Sequence, residues 1–213
     1  MNISEAVALR QISEFLHFTT NSGVAGILAS AALKARARLT VDAYLEHIYT
    51  PNCPNRDRDR HWHDYVNLSI SNITTHLFSI TENKWHAGGD GWWCVLSFDP
   101  VIATHPGVYF TTTNNMYTGV ARAQGIQGFE AMFAPRIIRW AGSVVTRASE
   151  LALRHPTCEQ AEVLYPIQVP LSHLQCIYTR EQRHCSAIQA MCGALQIAPV
   201  TCIVAPDKFE TSR

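Results

Sequence analysis

The stretch that most constrains this chain is Pro156-Thr157-Cys158-Glu159-Gln160-Ala161-Glu162-Val163-Leu164-Tyr165-Pro166. Polar residues give way to an apolar run that a proline ends, the pattern of a loop dropping into a strand. Side chains alternate faces along a strand, so Gln160 and Glu162 share one face, and Ala161 and Val163 share the other. A carboxylate opening an otherwise apolar strand needs a partner or a cleft that reaches water. An edge strand with a solvated polar face meets the same pattern, so the choice rests on the rest of the chain.

Length and charge narrow the classes. At 213 residues the chain is expected to form one compact domain spanning 1–213, and a 47% hydrophobic content supplies its core. The formal net charge of +0 argues against charge-driven coating of duplex nucleic acid and leaves room for a local basic groove. No apolar run is long enough to span a bilayer, and Met1-Asn2-Ile3-Ser4-Glu5 lacks the basic-then-apolar plan of a signal peptide. The 7 cysteines are scattered and never spaced Cys-x-x-Cys. That usage fits a reduced, cytoplasmic protein better than a disulfide scaffold or a zinc site.

Along the chain, Ala6, Leu9 and Ile12 recur at near-helical spacing. Phe15-Leu16-His17-Phe18-Thr19 reads as a short strand, and Thr20-Asn21-Ser22 as the cap of a helix over Gly23 to Ser30. His17 is either a satisfied core histidine or a contact for phosphates and ribose hydroxyls at the strand–helix junction. A helix is expected over Ala35 to Ile48. The run Pro51 to Asp64 holds two prolines and alternating charges and reads as a loop. His61 and His63 have no third ligand at a recognisable spacing, so no metal is expected.

Tyr65-Val66-Asn67-Leu68-Ser69-Ile70-Ser71 alternates as a strand, with Leu68 and Ile70 inward and Asn67, Ser69 and Ser71 on the other face. A helix or turn over Asn72 to Ile80 carries Leu77 and Phe78, and Gly88-Gly89-Asp90-Gly91 reads as a turn. Trp92 to Phe98 and Gly107 to Thr112 read as strands. The glycines fit neither Gly-x-x-x-x-Gly-Lys nor Gly-x-Gly-x-x-Gly, which removes the common nucleotide folds. Asn114 to Phe133 is expected to be an interrupted helix. Residues 134–159 hold Arg136, Arg139, Arg147 and Arg154 with little acid, and a helix is expected through Ser143 to Leu153. This lobe is either an ordinary surface or a phosphate-tracking one. Leu174 to Thr179 and Val200 to Val204 read as strands around a helix over Glu181 to Leu195. The whole is a mixed α+β fold.

His17-Phe18-Thr19 before a helix, Ser69-Ile70-Ser71 on a strand and Gln160-Ala161-Glu162 on a late strand resemble the ADP-ribosyltransferase fold. Within it they most resemble the DarT family, toxins that ADP-ribosylate bases of single-stranded DNA. The resemblance runs from about Phe15 to Tyr178. It implies central mixed β-sheets flanked by helices, NAD as co-substrate and no metal. It makes Glu162 the catalytic glutamate, and places His17 and Thr19 on NAD and Ser69 and Ser71 along the nicotinamide cleft. Phe78 and Gln160 join the same cofactor-binding set. The family's catalytic arginine matches Arg58 best by spacing, with Arg56 and Arg60 as rivals. The lobe over 134–159 becomes the DNA-binding element through Arg136, Arg139, Arg147 and Arg154, with Asn114 reading the base.

The implied chemistry suits these residue types. Cleaving the nicotinamide–ribose bond builds positive charge on the ribose, which a fixed carboxylate stabilises most when it is greatest. Arginine is a poor proton acceptor, so its part is electrostatic. Two departures from the family pattern stand out. Gly23 occupies a position where the family often has asparagine, and Leu68-Ser69-Ile70-Ser71 replaces the aromatic run of the thymidine-modifying branch. The latter resembles the guanosine-modifying branch and makes guanine the expected base. The resemblance also implies a cognate antitoxin, a macrodomain or a NADAR-type hydrolase. RNA or protein acceptors, and a non-catalytic module that binds NAD or single strands, are the alternative readings.

Overall fold

The alternation of Tyr65–Ile70 and the apolar run from Val163 both become strands, because each offers one face to a core while the backbone pairs on either side. The computed structural model describes residues 1–39, 57–85 and 91–210, without the side chains of residues 57–59, 85 and 141. In chain order the strands of the main sheet are β1 (Phe15–Thr20), β3 (Tyr65–Ile70), β4 (Trp93–Phe98), β5 (Tyr109–Thr111) and β6 (Arg122–Gln124), then β9 (Glu162–Pro166), β11 (Leu174–Thr179) and β12 (Cys202–Val204). They lie side by side in the order β12-β11-β4-β1-β3-β9-β5-β6, antiparallel except for the parallel β11–β12 pair. Two ribbons stand apart, β2 (Ala32–Lys34) with β10 (Gln168–Pro170), and β7 (Arg136–Ile138) with β8 (Val144–Thr146). The mixed α+β sheet flanked by helices agrees with the expected fold class.

One joint in this sheet is incomplete. β1 pairs with β4 along all of Phe15 to Thr20, yet it pairs with β3 only at Phe15↔Ile70 and Leu16↔Ser69. Beyond Leu16 the two strands part, and the sheet splits. His17 Nδ1 lies 3.0 Å from the Asn67 carbonyl oxygen and bridges the start of the split.

The helices cover the sheet. α1 (Ile3–Leu9) is held by a capping box between Asn2 and Glu5. α2 (Asn21–Ser30) starts where Thr20 Oγ1 accepts the Gly23 amide, as the Thr-Asn-Ser signal predicts. Gly23 is required there by space: a Cβ would stand 2.0 Å from Thr19 Oγ1. Then follow the short α3 (Arg36–Leu39), α4 (Thr75–Ile80), α5 (Gly125–Ala131) and α6 (Gln182–Ala194). The larger core lies on the face of Phe15, Leu68, Ile70, Phe110 and Val163. A smaller one, on the other side of β1, gathers Leu16, Phe18, Phe78, Trp93 and Phe209.

Two expectations are corrected, and a third is met in part. The helix through Ser143 to Leu153 is instead the β7–β8 hairpin followed by turns. Its β-branched residues Ile137, Ile138, Val144, Val145 and Thr146 suit a ribbon, and Gly142 takes φ +73 in the connection. The helix opening at Asn114 is a turn, because Asn114 Oδ1 accepts the Met116 amide and competes with helical pairing. A helix in that region begins only at Gly125. The expected helix over Ala35 to Ile48 is seen as Arg36–Leu39, and its remainder lies outside the described residues. Gly88, Gly89 and Asp90 of the expected turn lie outside them as well.

Candidate active site

Glu162 opens β9 one strand away from the split. Its register partner on β5 is Thr111, whose partner on β6 is Arg122. On the other side, Leu68 pairs with Val163, so continuing that register sets Ser69 opposite Glu162. Paired residues share a face, and Ser69, Glu162, Thr111 and Arg122 therefore form one polar row across four strands. The row lies on the face away from Leu68, Phe110 and Val163, which belong to the larger core. A neighbouring row brings Asn67 and Tyr109 to the same face.

A backbone N–H holds the carboxylate, and a hydroxyl holds the backbone of the same residue. The Asn115 amide donates to Glu162 Oε2 at 2.7 Å. The Glu162 amide donates to Thr111 Oγ1 at 3.1 Å, and that hydroxyl donates to the Thr113 carbonyl at 2.7 Å. Behind Glu162, the Thr157 hydroxyl and amide bind the Ala134 and Met132 carbonyls, and the Thr74 hydroxyl reaches the Glu159 carbonyl. The Pro-Thr-Cys turn is thus a buried anchor for the strand start.

Arg122 is the residue the sequence reading missed. Its Nε and one terminal nitrogen donate to both oxygens of Asn115, the side-chain Oδ1 and the carbonyl. Its guanidinium also lies 5.2 Å from the ring centroid of Trp62. Burial pulls its pKa below the ordinary arginine value, while the negative charge of Glu162 acts in the opposite direction. Trp62 in turn packs on Tyr65 and Tyr109, with centroids 5.0 and 5.1 Å away. Strand alternation of Tyr109-Phe110-Thr111 was the available signal for this face; nothing local marked Asn115.

The other expected residues separate into groups. His17 and Ser69 lie at the split. Gln160 stands just before β9 rather than on it, and its Oε1 is buried without a hydrogen-bond partner. Thr19 is buried under α2, against Gly23. Ser71 sits past the end of β3 at φ +62, with its hydroxyl turned to the Arg154 carbonyl, and so does not share the row of Ser69. Phe78 is 2% exposed and packs edge-on against Phe18 and Trp93 in the smaller core. Arg58 and Arg60 stand in a turn of 3-10 helix, Asp57–Trp62, that ends at Trp62. Arg60 is exposed; the side chain of Arg58 and all of Arg56 lie outside the described residues.

In the lobe, Arg136 and Arg154 are exposed and Arg139 is partly buried. Arg147 is turned inward: it donates to the carbonyls of His155, Ala152 and Leu151 and so staples the turn that carries Arg154. Asn114 Oδ1 accepts the Met116 amide within its own turn. The hairpin exposes Ile138 at 66% and Trp140 at 59%, and the Trp140 ring centroid lies 6.4 Å from that of Tyr117, two residues past Asn115. A cavity of about 540 Å³ lies under the lobe, lined in part by Asn72, Thr75, Arg154, His155 and Glu159. Among the described residues no group of three His, Cys, Asp or Glu is placed to hold a metal ion, and no helix is long and apolar enough to cross a membrane.

Comparison with known proteins adds the family. A search of curated proteins returned no match. Among solved structures, Thermus sp. 2.9 DarT in complex with NAD+ aligns over 94% of this chain and 98% of its own, with a TM-score of 0.62 at 17% identity. The same DarT in complex with ADP-ribosylated ssDNA aligns over 94% and 97%, with a TM-score of 0.63 at 15% identity. Thermosipho africanus DarTG in complex with ADP-ribose aligns over 92% of this chain and 51% of its own, with a TM-score of 0.59 at 13% identity. At these identities the likeness establishes the fold. The model of one family, described as "ssDNA thymidine ADP-ribosyltransferase, DarT", matches residues 16–210, nearly the whole chain. The chain with the Ser69–Glu162–Thr111–Arg122 row therefore belongs to the DarT family of ADP-ribosyltransferases.

Proposed function

We propose that this chain cleaves NAD at its nicotinamide–ribose bond and transfers ADP-ribose to guanine in single-stranded DNA. The observation that carries the reading is the placement of Glu162: a strand-borne carboxylate, fixed by a backbone N–H and set one strand away from a split in the sheet. The split suits NAD in its donors and acceptors. His17 bridges it through Nδ1, a geometry in which the ring nitrogen donates to a carbonyl and Nε2 of the neutral ring is an acceptor. Ser69 supplies a hydroxyl on the adjoining strand, and Gln160, in the turn before β9, carries a buried amide oxygen without a hydrogen-bond partner.

When the glycosidic bond breaks, nicotinamide leaves with the bonding pair and positive charge builds on the ribose. Glu162 stabilises that charge. A nitrogen of the base then bonds to the ribose C1 and gives up its proton to water. Arg58, or Arg56 or Arg60 in its place, assists electrostatically by offsetting the diphosphate charge.

The lobe fits a single strand better than a duplex. It presents exposed Trp140 and Ile138 next to Arg136, a stacking surface beside a cation. A base edge is hidden in a duplex and open in a single strand. For the base itself, the family description names thymidine. The small Asn67 and Ser69 on the cleft strand favour the larger guanine. A toxin role, with a cognate macrodomain or NADAR-type hydrolase removing the mark, belongs to the same proposal.

The test uses four oligonucleotides, each lacking one base, incubated with NAD and the protein and read by mass spectrometry. Loss of the mass gain in the guanine-free strand alone supports the reading. Loss in the thymine-free strand alone replaces guanine by thymine. A mass gain on RNA or on protein, with none on any DNA strand, overturns the DNA acceptor.

A further inference from the structure

We propose that Arg122 is a positioning residue for ADP-ribosyl transfer, acting on Glu162 through Asn115 and on the arginine-bearing turn through Trp62. The inference rests on the reading of Glu162 as the catalytic carboxylate.

The geometry is a relay. Arg122 spends its hydrogen bonds on the two oxygens of Asn115, and the amide of that same residue donates to Glu162 Oε2 at 2.7 Å. Gripping the side-chain and carbonyl oxygens of one residue restrains its χ1 and ψ torsions and anchors the Cα from which the donating N–H extends on the other side. The guanidinium also stacks toward Trp62, the last residue of the turn that carries Arg58 and Arg60. One side chain thus links the carboxylate and the cationic turn, which the chain order separates by about a hundred residues.

The arrangement is costly for a purely structural role. Arg122 is partly desolvated, and burial lowers its pKa. Asn115 is 1% exposed, yet its Nδ2 has no hydrogen-bond partner. An aliphatic pair would fill the same space without an unpartnered donor. Arg122 and Glu162 attract each other through space with Asn115 between them, and the Asn115 N–H is the group the cation holds against Oε2.

The experiment compares Arg122→Ala, Arg122→Lys and Asn115→Ala with the parent enzyme on a single-stranded oligonucleotide and NAD. Arg122→Ala is expected to lower kcat by about 10- to 100-fold, the scale of a misplaced reacting group, with both KM values within about threefold. Its acid limb moves to higher pH, because the carboxylate has lost a cationic neighbour. Added guanidinium at millimolar concentration restores part of kcat. Arg122→Lys keeps the acid limb near the parent's but not kcat, since an ammonium lacks the fork that grips two oxygens. The Arg122→Ala/Asn115→Ala double variant loses no more than the worse single one, as expected of one unit.

A kcat within twofold of the parent for folded Arg122→Ala overturns the relay, as does a loss confined to the oligonucleotide KM. If Arg122→Ala fails to fold, folded Arg122→Lys with parental kcat overturns it. Glu162→Gln separates the two levels. Transfer retained in that variant removes the carboxylate reading itself, whereas a dead Glu162→Gln beside a fully active Arg122→Ala removes the relay alone.

Discussion

The start of β9 and the lobe just before it are neighbours in the chain and are built on opposite principles. Around Glu162, the residues Thr111, Thr113, Asn115, Cys158 and Ala161 are almost wholly buried; the Asn115 N–H holds the carboxylate, and the Thr111 hydroxyl holds the Glu162 backbone. In the lobe, Ile138, Trp140 and Leu153 stand in solvent, and the hairpin is a two-stranded ribbon separate from the main sheet. In the reaction proposed above, charge develops at a fixed point and needs a group that does not move, and a carboxylate on an interior strand meets that need. The single strand proposed as its substrate varies in sequence and backbone angle, and an exposed aromatic beside exposed cations suits it better. Arg147 is the exception in the lobe, because it is an inward staple and not a free cation.

The largest effect should come from the rigid side. Glu162→Gln keeps shape and loses charge, and transfer is expected to fall by at least ~100-fold, with thermal unfolding little changed. Near-parental labelling of DNA by that variant erases the contrast. On the adaptable side, Trp140→Ala should raise the oligonucleotide KM by roughly tenfold, from a stacking contribution of ~1–3 kcal/mol per base. Trp140→Phe should recover most of it, and the KM for NAD should not move; a rise in the NAD value instead would place Trp140 on the rigid side.

The two arginine classes sharpen the comparison further. Arg136→Ala should weaken DNA binding several-fold and reduce the salt slope by about one unit, as for one lost phosphate contact. Arg147→Ala should leave the slope closer to the parent's and instead speed protease cleavage within residues 147–155, because three carbonyls lose their donor. Equal slopes for the two variants would mean that Arg147 also meets phosphate.

The smallest effect concerns pH and lies away from both regions. His184 is 7% exposed, stacks on Trp92 at 4.4 Å between centroids, and has its pKa lowered first of all by burial. A histidine with a lowered folded-state pKa contributes stability that is present above its ordinary value of ~6.5 and is lost as pH falls through the lower folded value. The melting temperature should therefore drop by a few degrees between pH 7.5 and pH 5. His184→Gln should show a smaller drop over that interval; an equal drop would assign the acid sensitivity to other groups, such as His105 and His155, whose values burial also lowers.

The sequence by itself determined what is local. Alternation in Tyr65–Ile70, the polar-to-apolar change at Glu162 and the Thr20 cap all follow from residue order, and each became the expected element. Only the tertiary structure decided which of those elements meet. Phe78 went to the core because Phe18, Trp93 and Phe209 enclose it, and Ser71 left the row of Ser69 because the chain turns at φ +62. Trp140 became an exposed tip because β-branched residues on both sides of Gly142 pair as a ribbon. Asn115 holds Glu162 through its backbone amide, across 47 positions, and every residue except proline carries such a donor. No side-chain pattern marks a contact of that kind. Its partner Arg122 lies on a three-residue strand too short to show a period, and its role is set by the sheet register that places it beside Thr111.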